Sequence, residues 1–475
     1  MTAVRVGVVG GGISGLAAAW FLRQSLGPAA EIIVFEKKPD VGGHLRVSDV
    51  AGHPVDEGAE SLLARRPEAV DLAAAVGLAD DVVHPAPVGA GLWSRDRIHP
   101  LPAGTVMGVP ADPARLAGVL TTAEVDAARA ADAAPDGMPL ESDVAIGRLV
   151  RDRFGAAVAD RMVEPLLGGV YAGRADELSL DATVPALAAA ARTHPSLASA
   201  AAAATRPASA QGPTESRPVF AGLRGGVGRL PGAVAAAARA DVRTGVTVRS
   251  LERRSDGFRL ITGPVPDPSA VDVDAVVVAT PATASARLLS SVVPAAAASL
   301  AEIDAASMAI VTLAMPAAAF PQPPSSSGFL VPPVDGRTIK AVTYSSVKWP
   351  WLGSRTGELV LLRASLGRHR EVEQLQRDDD ELVAAVRADL GTAVGLTGQI
   401  VDARVTRWGG ALPQYAVGHL DRVARVHSAV AGVPGLAVCG AVYDGVGVAA
   451  CIGSARDAAA RVVARLSQRR VRIES

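Results

Sequence analysis

Apolar residues along the chain change period several times, and each change marks an element. Val6 to Val9 is a short β-branched run of the kind a buried parallel strand carries, and Leu16 to Leu22 is helix-forming. A second β-branched run, Ile32 to Phe35, follows, and Pro67 to Val76 reads as a helix. The segment HPLPAGTVMGVP, between His99 and Pro110, is so punctuated by proline and glycine that no regular element is expected there. From there to Leu197 the pattern is largely helical and alanine-rich, Val144 to Val163 included. Ala198 to Pro218, rich in Ala, Ser, Pro and Thr, reads as a mobile linker. Beyond it come a helix after Leu230, strand-like alternation from Val242 to Leu251, and a buried strand, Val273 to Thr280. Ile310 to Met315, Phe329 to Val331, Ile339 to Tyr344 and Leu359 to Leu362 read as strands of a separate antiparallel sheet. The last unit is a strand, Leu436 to Cys439, a glycine turn, and a helix running to Leu466.

The first of these elements carry a motif. Gly10, Gly12 and Gly15 stand at G-x-G-x-x-G spacing between the first strand and its helix, and the second strand ends at Glu36, 21 residues beyond Gly15. The first glycine makes a tight turn, the second admits a pyrophosphate to the backbone, and the third lets helix and strand pack closely. Phosphates then sit on the positive end of the helix, and a carboxylate at Glu36 accepts from ribose hydroxyls. The alternatives are a glycine-rich turn of another α/β protein, or a signal or membrane helix, since Val6 to Leu22 carries no charge. Three glycines in its middle and a single basic residue ahead of it argue against both, and the chain reads as cytoplasmic.

Composition narrows the picture further. At 475 residues the chain exceeds one ordinary domain, so two or three cores are expected. A net charge of −1 suggests no nucleic-acid partner. Only Lys37, Lys38, Lys340 and Lys348 are lysines; the other 43 of the 47 basic residues are arginines, some of them suited to bidentate carboxylate binding. The two cysteines, Cys439 and Cys451, form no C-x-x-C pair, so zinc, disulfide and dithiol chemistry are unsupported. No Ser/His/Asp or Cys/His spacing is interpretable, and His99 and His419 read as structural. Any electron chemistry must come from a cofactor.

Four further turns bear on which cofactor. Gly42-Gly43-His44-Leu45-Arg46 extends the nucleotide motif in a way an NAD site does not need and a flavin, lying across its domain, does. Gly58-Ala59-Glu60-Ser61 is either a second cofactor turn or a plain helix entry with Ser61 or nearby acids capping. Glu164 to Gly173, EPLLGGVYAG, breaks the helical region with glycines and reads as a wall where a planar ligand meets the backbone. Gly440 to Val448, AVYDGVGV within a glycine turn, puts a second helix N-terminus where a flavin's pyrimidine edge gathers negative charge.

The segments GGGISGLAAAWFL, FEK, GGH, HPLPAGTVMGVP, EPLLGGVYAG, FAGLRGGVGRLP, SGFLVPP, LPQYAVGH and CGAVYDGVGV resemble, over nearly the whole chain, the FAD-dependent protoporphyrinogen/coproporphyrinogen oxidases, and in particular their bacterial coproporphyrinogen-oxidising branch. Pro413-Gln414-Tyr415 with Gly418-His419, and Gly169-Val170-Tyr171-Ala172-Gly173, are the specific matches; the N-terminal motif alone fits any flavin amine oxidase. The resemblance implies an α/β chain, α+β overall: a discontinuous Rossmann-like FAD-binding domain (residues 1–84, 219–285 and 426–475), an antiparallel-sheet substrate domain (85–100 and 286–425), a helical insertion (101–197) and the linker at 198–218. It implies non-covalent FAD held by Gly10, Gly11, Gly12, Ile13, Ser14, Gly15, Glu36, Gly43, His44, Gly58, Ala59, Glu60, Ser61, Val248, Trp408, Val446, Gly447 and Val448. Gly169 and Leu330 match residues beside the macrocycle, and no metal is implied. Anionic propionates make Arg174, Arg363 and Arg368 candidate substrate partners. The implied reaction removes six electrons from a porphyrinogen in three two-electron steps, with oxygen as acceptor, and assigns no catalytic base. Coproporphyrinogen III is the leading substrate and protoporphyrinogen IX the rival; an amine oxidase and a flavin- or porphyrin-binding protein without turnover are the more distant alternatives. The next haem-pathway enzyme, ferrochelatase, is an implied partner. Membrane-associated members dock through the helical insertion, and its alanine-rich composition here argues against that.

Overall fold

A computed structural model describes residues 3–133, 138–205 and 218–474, with side chains of the last helix described to Gln468. Its centre is a five-stranded parallel sheet in the order Asp241–Arg243, Glu31–Phe35, Arg5–Val9, Ala275–Val278, Leu436–Val438. The strands are apolar on both faces because both are covered. Val6, Val8, Ile32 and Val34 pack under the helices Ile13–Leu26, Leu230–Ala238 and Val448–Glu474. Val9, Ile33, Phe35, Val276 and Val278 face a three-stranded meander, Ser250–Arg253 to Ser269–Val273, and the helices Ala282–Leu289, Pro294–Ala301 and His419–Ala431.

The second sheet has seven strands in the order Asp402–Pro413, Ala305–Pro316, Leu359–Leu366, Ile339–Tyr344, Gly328–Leu330, Gly91–Ser94, Arg97–Pro100. It is antiparallel except where Phe329 pairs in parallel with Gly91, a departure from the expected wholly antiparallel sheet. One face closes over the helix Asp379–Val394 through Val342, Leu362, Leu366, Val386 and Leu390. A third body is helical and contains Ile146, Phe154, Met162, Leu187 and Leu197. No helix among the described residues is long and apolar enough to cross a membrane.

Several local expectations need correction. HPLPAGTVMGVP does hold regular structure: Thr105–Val106 pairs with Val109–Pro110 in a two-residue hairpin, Met107 and Gly108 taking the positive φ such a turn requires. Val144 to Val163 is largely helical as expected, but in successive pieces. Ile146–Phe154 ends at Gly155, whose φ is +85°, and a π-helical turn, Ala159–Val163, follows. The glycines of EPLLGGVYAG interrupt nothing, since Gly168 and Gly169 lie inside the helix Glu164–Tyr171, anchored by buried Leu167 and Tyr171. Val242 to Leu251 contains two short strands separated by a turn, Asp241–Arg243 and Ser250–Arg253. Of the expected linker, Leu197–Thr205 is helix; residues 206–217 lie outside the described residues.

Candidate active site

Glycine geometry builds the nucleotide end. A Cβ on Gly15 would fall 1.8 Å from the Gly10 carbonyl oxygen, so only glycine permits this helix–strand approach. Gly11 N donates to Glu36 Oε2 over 2.7 Å and Lys38 N to Oε1 over 2.8 Å, which fixes the carboxylate at the strand end with one acceptor site free on each oxygen. Gly42 N donates to the Gly11 carbonyl, and a Cβ on Gly43 would stand 3.2 Å from Gly12 Cα, so the two glycine turns lie backbone against backbone. The helix Ile13–Leu26 starts at Gly12 with no side chain capping it. Its first N–H groups and positive dipole end face this turn, a fit for a diphosphate. Val246 N donates to the Glu36 carbonyl, bringing the loop with buried Val248 to the same end; Ser14 packs against Gly440.

Trp408, more than 300 residues away in sequence, closes the next section. Its Nε1 donates to the Glu57 carbonyl over 2.9 Å, and its ring meets His44 edge-on at 5.2 Å between centroids. Burial, with the Lys38 charge adding, pushes the His44 imidazole down to about 4, so it is neutral at physiological pH. Gly58 is required here, because a Cβ would lie 1.9 Å from the His44 carbonyl oxygen.

The turn Gly58-Ala59-Glu60-Ser61 is not a simple helix entry. Glu60 accepts from Lys348 Nζ at 2.6 Å and Arg363 Nη1 at 2.9 Å, and Lys348 also donates to Ser61 Oγ at 2.8 Å. Arg363 further donates to the Gly58 carbonyl. Burial alone would raise the Glu60 carboxyl, but the two cations outweigh it and hold the group at about 2. Arg363 is thereby neutralised at this turn, away from the role of a free propionate partner. Sequence reading missed the Glu60–Lys348–Arg363 cluster, since nothing local links positions so far apart. The one available signal was that Lys348 is among only four lysines.

At the other end, Val446, Gly447 and Val448 open the C-terminal helix, which lies along the fingerprint helix in one core. Tyr415 fixes this turn: its hydroxyl donates to the Ala441 carbonyl at 2.7 Å and accepts from Gly445 N at 2.9 Å. The Tyr415 ring stacks on His419, with centroids 3.9 Å apart. The neighbouring Gln414 donates to the Tyr171 carbonyl at 2.8 Å, at the end of the helix bearing Gly169. The Pro-Gln-Tyr segment thus joins the wall helix to the turn at the far end of the cofactor site.

On the wall itself Gly169 is exposed, and its Cβ position lies 3.6 Å from Leu330 Cδ2. Leu330 and Val446 both pack against the core of the helical body. Arg174 is half-exposed and 3.7 Å from Glu371; Arg368 is buried, 3.9 Å from the same carboxylate. Cys439 and Cys451 are buried, and burial pushes both thiols up, Cys451 to about 11. No group of His, Cys, Asp and Glu suited to a metal ion occurs among the described residues.

Residues 13–463 match the family described as flavin-containing amine oxidoreductase. The chain is 40% identical over 462 residues to a coproporphyrinogen III oxidase of Mycobacterium tuberculosis, covering 97% of each chain. It is 29% identical to one from Bacillus subtilis, covering 95% of this chain and 96% of that one. Among solved structures, an Exiguobacterium sp. 255-15 protein provisionally named a protoporphyrinogen oxidase superposes with a TM-score of 0.84 at 28% identity, over 98% of this chain and 99% of that one. The glycine turns, the two helix N-termini and Glu36 suit FAD, and the chain belongs to the flavin-containing amine oxidoreductase family, within its protoporphyrinogen/coproporphyrinogen oxidases.

Proposed function

We propose that this protein oxidises coproporphyrinogen III to coproporphyrin III, using FAD and oxygen and releasing hydrogen peroxide. The observation that carries the reading is its 40% identity, sustained over 97% of the chain, to coproporphyrinogen III oxidases. Bound FAD supplies a two-electron acceptor that oxygen regenerates, so the six-electron conversion proceeds in three rounds. The chain's own task is to hold and orient. Gly10 to Gly15, Gly43 and Val446 to Val448 offer backbone N–H groups to the cofactor, Glu36 accepts from its ribose, and His44, Gly58 to Ser61, Val248 and Trp408 enclose it. Gly169 and Leu330 present an apolar wall to the macrocycle, with Arg174 and Arg368 on the same side. No base is assigned. The division into a discontinuous FAD domain, a substrate domain and a helical insertion, a cytoplasmic setting, and product handover to ferrochelatase belong to the same reading.

Protoporphyrinogen IX, in which two vinyls replace two propionates, is the second reading, favoured by the 0.84 TM-score to the Exiguobacterium protein. Purified FAD-loaded enzyme given each porphyrinogen in turn separates them. A kcat/KM at least about tenfold higher on coproporphyrinogen III supports the proposal, and the reverse preference overturns it.

A further inference from the structure

Beside the wall helix lies a narrow cleft lined by Glu164, Pro165, Gly168, Val331, Lys340 and Arg368. Lys340 is 4% exposed and its ammonium makes no hydrogen bond to any described residue. It sits where the strand Ile339–Tyr344 slips register, between Ile339 and Ala341, an irregularity that re-aims a side chain. Arg368, 8% exposed, reaches among the described residues only the Val331 carbonyl at 3.5 Å and Glu371 at 3.9 Å. Burial lowers the Lys340 amine to about 7, the Arg368 charge adds to this, and Glu371 opposes it. The one carboxylate in the cleft, Glu164, is held by Ala175 N at 2.7 Å and does not reach the ammonium.

A buried, wholly unpartnered ammonium beside a buried guanidinium is costly, so the cleft by itself favours the neutral amine and an anion joining the pair favours the charged one. The cleft's free space, about 10 Å³, is that of one water-sized group, so it admits at most the carboxylate tip of an acidic arm and not a macrocycle. Its lining residues Gly168 and Val331 are the immediate neighbours of Gly169 and Leu330, the two residues of the macrocycle wall. We infer that Lys340 and Arg368 form a buried receptor for one propionate carboxylate of the porphyrinogen. The inference rests on the substrate reading above and adds to it a residue, Lys340, that sequence alone did not single out. It makes the carboxylate end of the arm, gripped by an ammonium and a guanidinium fork, a determinant of how the ring is seated against Gly169.

The test uses FAD-loaded full-length enzyme as wild type, Lys340→Met and Lys340→Arg. KM is measured on coproporphyrinogen III, and binding of coproporphyrin III is compared with that of its tetramethyl ester, which lacks the charges. The receptor predicts that Lys340→Met weakens tetra-acid binding and raises KM by about tenfold or more, leaves ester binding within about twofold, and does not lower the melting temperature of the ligand-free protein. Lys340→Arg, which keeps the charge, retains binding within a few-fold. An active enzyme whose Lys340→Met variant binds the tetra-acid like wild type, or loses acid and ester alike, overturns the receptor alone. A wild type that fails to oxidise coproporphyrinogen III overturns the substrate reading, and the receptor with it.

Discussion

The Tyr415 hydroxyl donates to the Ala441 carbonyl over 2.7 Å, joining the end of the long strand Asp402–Pro413 to the turn that opens the C-terminal helix. Because the same oxygen accepts from Gly445 N, one phenol satisfies two partly buried backbone groups of that turn. Tyr415→Phe keeps the ring and its stacking on His419 but orphans both groups, a loss of about 1–3 kcal/mol. The expected result is a lower melting temperature and weaker FAD binding, read by titrating apoprotein with FAD; unchanged affinity would show that the turn is fixed otherwise.

Glu60 sets an acid limit on stability. Its folded value of about 2 lies below the ordinary 4.5, so ionised Glu60 contributes stability above pH 4.5 that is lost as pH falls from there towards 2. The shift corresponds to about 3 kcal/mol. Glu60→Gln removes the carboxylate that joins buried Arg363 to partly buried Lys348 and costs about 3–5 kcal/mol near neutrality. The gap in melting temperature between wild type and variant should be wide at pH 7 and close steadily below pH 4.5; a gap independent of pH contradicts the ion cluster.

These relationships also mark how far sequence reading reached. Val6 to Glu36 was legible because strand, glycines, helix and acid are neighbours, and their spacing carries the chemistry. Trp408 against His44, and Lys348 and Arg363 against Glu60, join residues about 290 to 360 positions apart, and no local pattern encodes such contacts. Arg363 and Arg368 were equal candidates on charge alone and are equally buried; their partners separate them, since Glu60 neutralises Arg363 and no carboxylate among the described residues lies within 3.8 Å of Arg368. Gly168 and Gly169 looked like breaks because glycine disfavours helices, a preference that the buried anchors Leu167 and Tyr171 override.

Glu36 bridges two backbone N–H groups, and the proposed reading sets the cofactor's ribose against it. Glu36→Ala removes a charged acceptor from Gly11 and Lys38 as well as from the cofactor. FAD dissociation should rise by about 10–100-fold, measured by flavin fluorescence. A change below threefold would remove Glu36 from the cofactor site.

Gly169 separates stability from function. Within an exposed helical stretch, Gly169→Ala should stabilise the fold by about 0.5–1 kcal/mol, since its Cβ would meet Leu330 at an ordinary 3.6 Å. The same methyl narrows the wall, so KM for the porphyrinogen should rise while the bound FAD content stays full. A more stable variant with unchanged KM would place the macrocycle elsewhere.

The most direct measurement of the central claim is product stoichiometry. FAD-loaded enzyme is given coproporphyrinogen III in air, and coproporphyrin fluorescence and hydrogen peroxide are followed together. Three rounds of two-electron oxidation require close to three peroxides per porphyrin, with both signals abolished when FAD is removed and restored when it is returned. Porphyrin formation that does not depend on FAD, or peroxide released without porphyrin, would contradict the assignment.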